Sequence, residues 1–243
     1  MALTTQADTG TPKTRARRQL ACASLVAAAA LALSACDPPS SDDRKSERQS
    51  YTITEKATGL KLATRGGDVT ITASDRTDVK VTEKIHYSDD APEPTHAVAD
   101  GAITLDSGAC SKGNCGVDYT IELPAALALD ISSDGGDVEV RGTKGDLSVA
   151  TEGGRGDLSE LAAFKVTART AGGALKLAFR TKPTKVTAAT DGGDVTMTVP
   201  EGSYAVRADT SGGDKKIEVG QDHGAAEHIQ ADTEGGDLTI RTG

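Results

Sequence analysis

A doublet of glycines recurs through the second half of the chain and constrains its fold more than any other feature. Doublets begin at Gly135, Gly153, Gly172, Gly192, Gly212 and Gly235, at spacings of 18, 19, 20, 20 and 23 residues. The flanking text repeats as well. Lys185-Val186-Thr187-Ala188-Ala189-Thr190 precedes one doublet, and Asp194-Val195-Thr196-Met197-Thr198-Val199 follows it. A fixed period of this length is the signature of a repeat architecture. Val195, Met197 and Val199 alternate with Thr196 and Thr198, and such period-two alternation marks half-buried strands. Each unit therefore reads as strand, Gly-Gly turn, strand, looser turn. The glycines are expected to supply positive φ, and the Asp after the doublet to bond N–H groups of its own turn.

Two short strands cannot bury a face alone, so the units must stack. This predicts an all-β fold, a β-solenoid resembling a parallel β-helix, of about 20-residue two-strand repeats. The alternative is a β-sandwich of hairpins, because a Gly-Gly turn also closes a hairpin. Met197 should point inward and Thr196 outward. The inward residues are small, and the chain has two Phe, four Tyr and no Trp, which suits a thin core between two sheets. Regular repeats span 131–243. An earlier copy reads Leu60-Lys61-Leu62-Ala63-Thr64, Gly66-Gly67, Asp68-Val69-Thr70-Ile71. Less regular strand text begins at Tyr51, so the strand-repeat domain is read as 51–243, with its first part forming the opening turns and a cap. The chain ends just after Leu238-Thr239-Ile240. That leaves a last coil expected to be uncapped and open to self-association at the C-terminal end.

Residues 11–18 are basic, and Leu20 to Leu33 form an apolar, Ala-rich run too short for a comfortable membrane span. This is the pattern of an export signal. It ends in Leu33-Ser34-Ala35-Cys36, which resembles the lipobox of bacterial lipoproteins. That resemblance implies a signal peptide over 1–35 and lipid on Cys36, tethering the chain outside the cytoplasmic membrane without a spanning helix. Residues 36–50, with DPPSSDDRKSERQS after the cysteine, read as a disordered linker. The chain carries a net charge of −9 and its first 35 residues +3, so the exported part stands at −12. Such a balance argues against nucleic acid, which calls for a basic face.

Of four cysteines, Cys22 lies in the signal and Cys36 is the lipid site. Cys110 and Cys115 remain, and in an oxidising compartment a disulfide between them is the expectation. They precede Val117-Asp118-Tyr119-Thr120-Ile121-Glu122-Leu123-Pro124 and then Leu129-Asp130-Ile131-Ser132-Ser133-Asp134-Gly135-Gly136-Asp137-Val138-Glu139-Val140-Arg141-Gly142. With the Gly-Asp-rich repeats that follow, this order resembles the bacterial putative-adhesin family, strand-repeat domains of unknown function common in exported chains. The resemblance covers about 51–243 and implies a solenoid-like fold outside the cell, with no catalytic residues to transfer. Three positions depart from the pattern: Ala174 replaces the usual Asp, Arg155 follows Gly153-Gly154, and Lys215 stands where Val195 stands one unit earlier.

No nucleophile elbow or phosphate loop is present, and His223 and His228 flanking Glu227 are a weak metal signal against the plainer reading of a solvated loop. The four histidines are scattered, and Arg155-Gly156-Asp157 is a tripeptide that Gly-Asp-rich text produces by chance. Stacking in register would bring Asp137, Asp194, Asp214 and Asp237 together along one edge. Hydrogen bonds within each turn are the plain way to hold those carboxylates, and calcium the sharper one. The reading reached is a lipid-anchored, extracytoplasmic envelope protein of non-enzymatic type and without a cofactor. Its repeat domain would meet an unknown envelope protein or glycan; the alternative is a polysaccharide-active enzyme on the same solenoid.

Overall fold

The alternating segments do become strands, and the glycine doublets send each one into the opposite sheet. A computed structural model describes residues 44–243. Its strands, in chain order, are β1 (Lys45–Ile53), β2 (Gly59–Thr64), β3 (Val69–Ser74), β4 (Val79–Tyr87), β5 (Thr95–Ala99), β6 (Ala102–Asp106) and β7 (Cys115–Pro124). There follow β8 (Ala128–Ser133), β9 (Val138–Arg141), β10 (Leu147–Thr151), β11 (Gly156–Leu161), β12 (Lys165–Thr170), β13 (Leu175–Phe179) and β14 (Lys185–Thr190). The last are β15 (Val195–Val199), β16 (Ser203–Thr210), β17 (Lys215–Glu218), β18 (Gly220–Gln221), β19 (His228–Thr233) and β20 (Leu238–Thr242).

A strand before a doublet and the strand after it form one coil, and coils stack in parallel register. Val166 of β12 lies beside Val186 of β14, and Val186 beside Ile229 of β19. On the other sheet Leu177 of β13 lies beside Met197 of β15, and Met197 beside Ile240 of β20. Identical inward positions therefore line up as continuous apolar rows, which is how strands too short to bury a face alone share one core. Met197 is fully buried and Thr196 half-buried, as the alternation predicts. The parallel pairing makes this a β-solenoid of two stacked ten-stranded sheets rather than a sandwich of hairpins.

At one end the pairing turns antiparallel. In one sheet β4 pairs antiparallel with β7 and β1 with β4, and in the other β5 pairs antiparallel with β6. Residues 45–50, assigned above to the linker, are thus part of an edge strand. They lack apolar periodicity because the strand is held by polar contacts. The buried Glu83 carboxylate of β4 accepts hydrogen bonds from Tyr51 Oη (2.7 Å) and Gln49 Nε2 (2.5 Å), and Tyr87 Oη donates to Glu47 (2.6 Å). The Tyr51 ring stacks on His96 at 4.4 Å. β5 was also missed by the sequence reading. It turns into β6 through Asp100-Gly101, both at positive φ (51° and 74°), the two-residue hairpin that Asp-Gly favours.

The other end corrects a second expectation. β20 is not an edge: it lies between β15 and β17, while β19 lies between β14 and β16. The last coil in sequence is inserted one place inward, and the coil built from β16 and β17 closes the stack, with the short β18 beside β16. This accounts for Lys215. Its position is matched by buried Leu238 in the neighbouring coil, but the end coil has nothing beyond it to bury an apolar side chain against. Lys215 Nζ instead donates to Ala208 O (3.0 Å) and stands 3.7 Å from Asp209. A lysine on an edge strand also discourages further strand pairing.

Candidate functional site

The edge formed by the Gly-Gly turns gathers most of the residues singled out in the sequence, and its chemistry is set by how the coils touch. Among the doublet glycines only Gly67 and Gly136 adopt positive φ. The second glycine is required for a different reason. A Cβ on Gly154 would stand 1.7 Å from Gly136 O, on Gly173 2.0 Å from Gly154 O, and on Gly193 2.2 Å from Gly173 O. Backbone of one coil rests directly on backbone of the next. The first glycine is freer: a Cβ on Gly135 or Gly153 meets nothing within 4 Å.

A buried hydroxyl ladder runs beside the glycines, and the sequence reading missed it. Thr190 Oγ1 accepts from Gly193 N (3.1 Å) and donates to Gly173 O in the adjacent coil (3.0 Å). Thr170 bonds Gly173 N and Gly154 O in the same way, Thr233 bonds Gly236 N and Gly193 O, and Thr210 bonds Gly213 N and Gly236 O. The signal was present, since Thr or Ser stands two residues before every doublet, from Thr64 and Ser133 to Thr233. A buried hydroxyl that satisfies two backbone groups explains why β-branched or small polar residues occupy positions where the alternation calls for apolar ones.

The aspartates form a second ladder, outside the first, and it joins coils rather than closing each turn on itself. Asp118 Oδ1 accepts the N–H of Asp68 (3.1 Å), Asp68 that of Asp137 (2.9 Å), and Asp137 that of Arg155 (2.9 Å). After Ala174 the ladder resumes: Asp194 accepts from Asp237 (2.8 Å) and Asp237 from Asp214 (2.9 Å). Repulsion between neighbouring carboxylates is offset because each Oδ1 faces a neighbour's N–H. Arg155, standing where a carboxylate is expected, makes a two-pronged pair with Asp137 Oδ2 (2.7 and 3.2 Å). Those bonds hold the Asp137 carboxyl below its ordinary value.

Asp194, Asp237 and Asp214 are in consecutive coils, but Asp137 is separated from them by the coils carrying Arg155 and Ala174. Among the described residues no group of three or more His, Cys, Asp or Glu is arranged to hold a metal ion. The carboxylates that do neighbour one another accept N–H groups of the adjacent coil rather than of their own turn. Arg155-Gly156-Asp157 is likewise absorbed by the architecture: Arg155 is tied to Asp137, and Gly156 and Asp157 lie within β11, where Asp157 is 3.6 Å from Lys176.

Cys110 and Cys115 are joined by a disulfide with Cα atoms 6.2 Å apart, in the loop leading from β6 into β7. Ser111 Oγ and Asn114 N of that loop bond Asp90 and Ser88 across it (2.6 and 3.1 Å). Cys36 lies outside the described residues. His86 stands 3.7 Å from Asp118, while His223 and His228 are exposed, so the histidines do not converge.

With the turn ladders and stacked coils described, comparison with known proteins identifies the architecture. A family model described as Toastrack DUF4097 matches residues 99–241. The chain belongs to the Toastrack DUF4097 family. The match begins within β5, so the cap strands β1 and β4 and the coil of β2 and β3 precede it, although that coil sits inside the stack. Similar solved structures include a putative cell adhesion protein from Clostridium sporogenes, at 16% identity over 82% of this chain and 100% of that one, with a TM-score of 0.47. Another is a putative adhesin from Bacteroides fragilis, at 19% identity over 82% of this chain and 97% of that one, with a TM-score of 0.45. No protein with curated function matches. In this Toastrack domain the two ladders are scaffolding, and they leave the outward faces of the sheets for whatever the molecule meets.

Proposed function

We propose that the protein is a lipid-anchored component of the cell envelope, held outside the cytoplasmic membrane through Cys36. Its Toastrack domain acts there as a non-enzymatic, adhesin-like interaction surface. The observation that supports this most is the commitment of the turn-edge carboxylates and hydroxyls to bonds between coils, which makes the repeated polar residues structural rather than catalytic. The apolar run ending at Leu33-Ser34-Ala35-Cys36 supports export and lipidation. With β1 starting at Lys45, residues 37–44 are the spacer between lipid and fold.

Metabolic labelling with a fatty-acid analogue tests the anchor. Label on the wild-type chain and none on Cys36→Ala is the expected result, and label that persists in the variant contradicts it. Retention of a specific envelope protein or glycan by the immobilised chain tests the interaction reading. Turnover of envelope polysaccharide by the purified chain would overturn its non-enzymatic part.

A further inference from the structure

The outward face of the sheet containing β2, β8, β10, β12, β14 and β19 carries a graded row parallel to the solenoid axis. Its first half is shallow, because Ala102, Gly59 and Ala128 stand side by side. Asp146 follows, its carbonyl bonded to Leu129 N. The second half is basic: Lys165 lies directly beside Lys185, and Lys185 beside His228, all three exposed. The shallow half is a groove of about 430 Å³, flanked by Lys61, Asp130, Ser148 and Thr167 and closed at one end by Lys165.

Two lysines in register on neighbouring strands are about 4.8 Å apart at the backbone, and like charges so placed destabilise a sheet. Neither lysine has a carboxylate ion-pair partner among the described residues. In a chain of net charge −9, two adjacent lysines without an ion pair at the end of a trough offer an anion a charge partner, with Asp146 beside Lys165 offsetting part of their charge. We infer that the row binds a linear acidic glycan, extended along the axis. An uncharged ring would lie on the small-residue floor and an adjacent uronate carboxylate would reach Lys165 and Lys185. The floor lets a flat ring approach the backbone. Asp130, Asp146, Ser148 and Thr167 offer partners to sugar hydroxyls, and the two carboxylates disfavour a densely charged polymer such as a polyphosphate. The inference deepens the interaction-surface reading and rests on it, while lipid labelling of Cys36 tests the anchor separately.

The test is calorimetric titration of the full chain, in detergent, with a hyaluronan hexasaccharide, in which uronate alternates with an uncharged amino sugar. Binding is expected. It should weaken by about tenfold or more in K165E/K185E, since each charge-assisted contact is among the stronger hydrogen bonds. It should weaken similarly in A128F, which fills the trough without changing charge. K176E/K216E, with the same charge change on the other sheet, should bind like wild type. Circular dichroism melts confirm that each variant is folded. No binding by the folded wild-type chain overturns the inference, as does equal binding by K165E/K185E. Equally tight binding of a linear hexaphosphate also overturns it, because charge alone would then suffice.

Discussion

At the scale of single residues, the two glycines of a doublet are not equivalent, although they look alike in the sequence. Gly154→Ala would place a methyl against Gly136 O and should lower stability by more than about 2 kcal/mol, since backbone cannot yield as a side chain can. Gly153→Ala points into open space and should be neutral, or stabilising by about 0.4–1 kcal/mol through the unfolded chain. Denaturant unfolding of both variants checks this, and equal losses would contradict backbone-on-backbone stacking. The sequence marked the glycines correctly but suggested positive φ, because a clash with the next coil is non-local and leaves no trace in the turn itself. Thr190→Val tests the hydroxyl ladder. It strands Gly193 N–H and Gly173 O, at about 1–3 kcal/mol for each buried group left unpaired, and an unchanged midpoint would sink the ladder. Asp137 tests the outer ladder. Its carboxyl is held below its ordinary value by hydrogen bonds from Arg155, so this contact stabilises the fold above the ordinary carboxylate value. The contribution is lost as pH falls through the depressed folded value. Arg155→Ala should raise the Asp137 value in an NMR titration; no movement would mean that the pair does not form in solution.

At the scale of elements, the repeat strands were legible because their inward and outward residues alternate, and the edge strands were not because theirs do not. β1 reads KSERQSYTI, and its attachment depends on Glu83, a buried carboxylate that no hydrophobic pattern can announce. Glu83→Ala should leave Tyr51 Oη and Gln49 Nε2 without their acceptor and release β1 from β4. Hydrogen exchange of the β1 amides that face β4 should then accelerate while β12–β15 stay protected. Uniform protection across β1 in the variant would show that backbone pairing alone holds the strand. β5 was legible in principle, through Asp100-Gly101, but its residues are almost wholly exposed. Burial of Tyr119 among the same cap elements pushes its phenol well above the ordinary value, as expected for a hydroxyl with no hydrogen-bond partner.

At the scale of the whole molecule, the period announced a solenoid but could not announce the order of its coils. Stacking energies between neighbouring coils depend on similar inward residues at every level, so coil 206–217 and coil 229–240 could each follow coil 186–199 by pattern alone. Lys215 is the residue that distinguishes them: its charge is tolerable only at the open end, which sends the coil of β19 and β20 inward. The 23-residue spacing before the last doublet and the excursion through β18 provide the chain length for that return. β19 and β20 are therefore interior strands, each paired on both sides. The arrangement is tested by cysteine pairs at outward positions of three strands. Thr196 lies in register with Thr239, and Thr239 with Lys216. Under mild oxidation, with bonds mapped by peptide mass spectrometry, T196C/T239C and T239C/K216C should cross-link within one chain. T196C/K216C, separated by an intervening strand, should not. Efficient cross-linking of T196C/K216C with none in T196C/T239C would contradict this coil order.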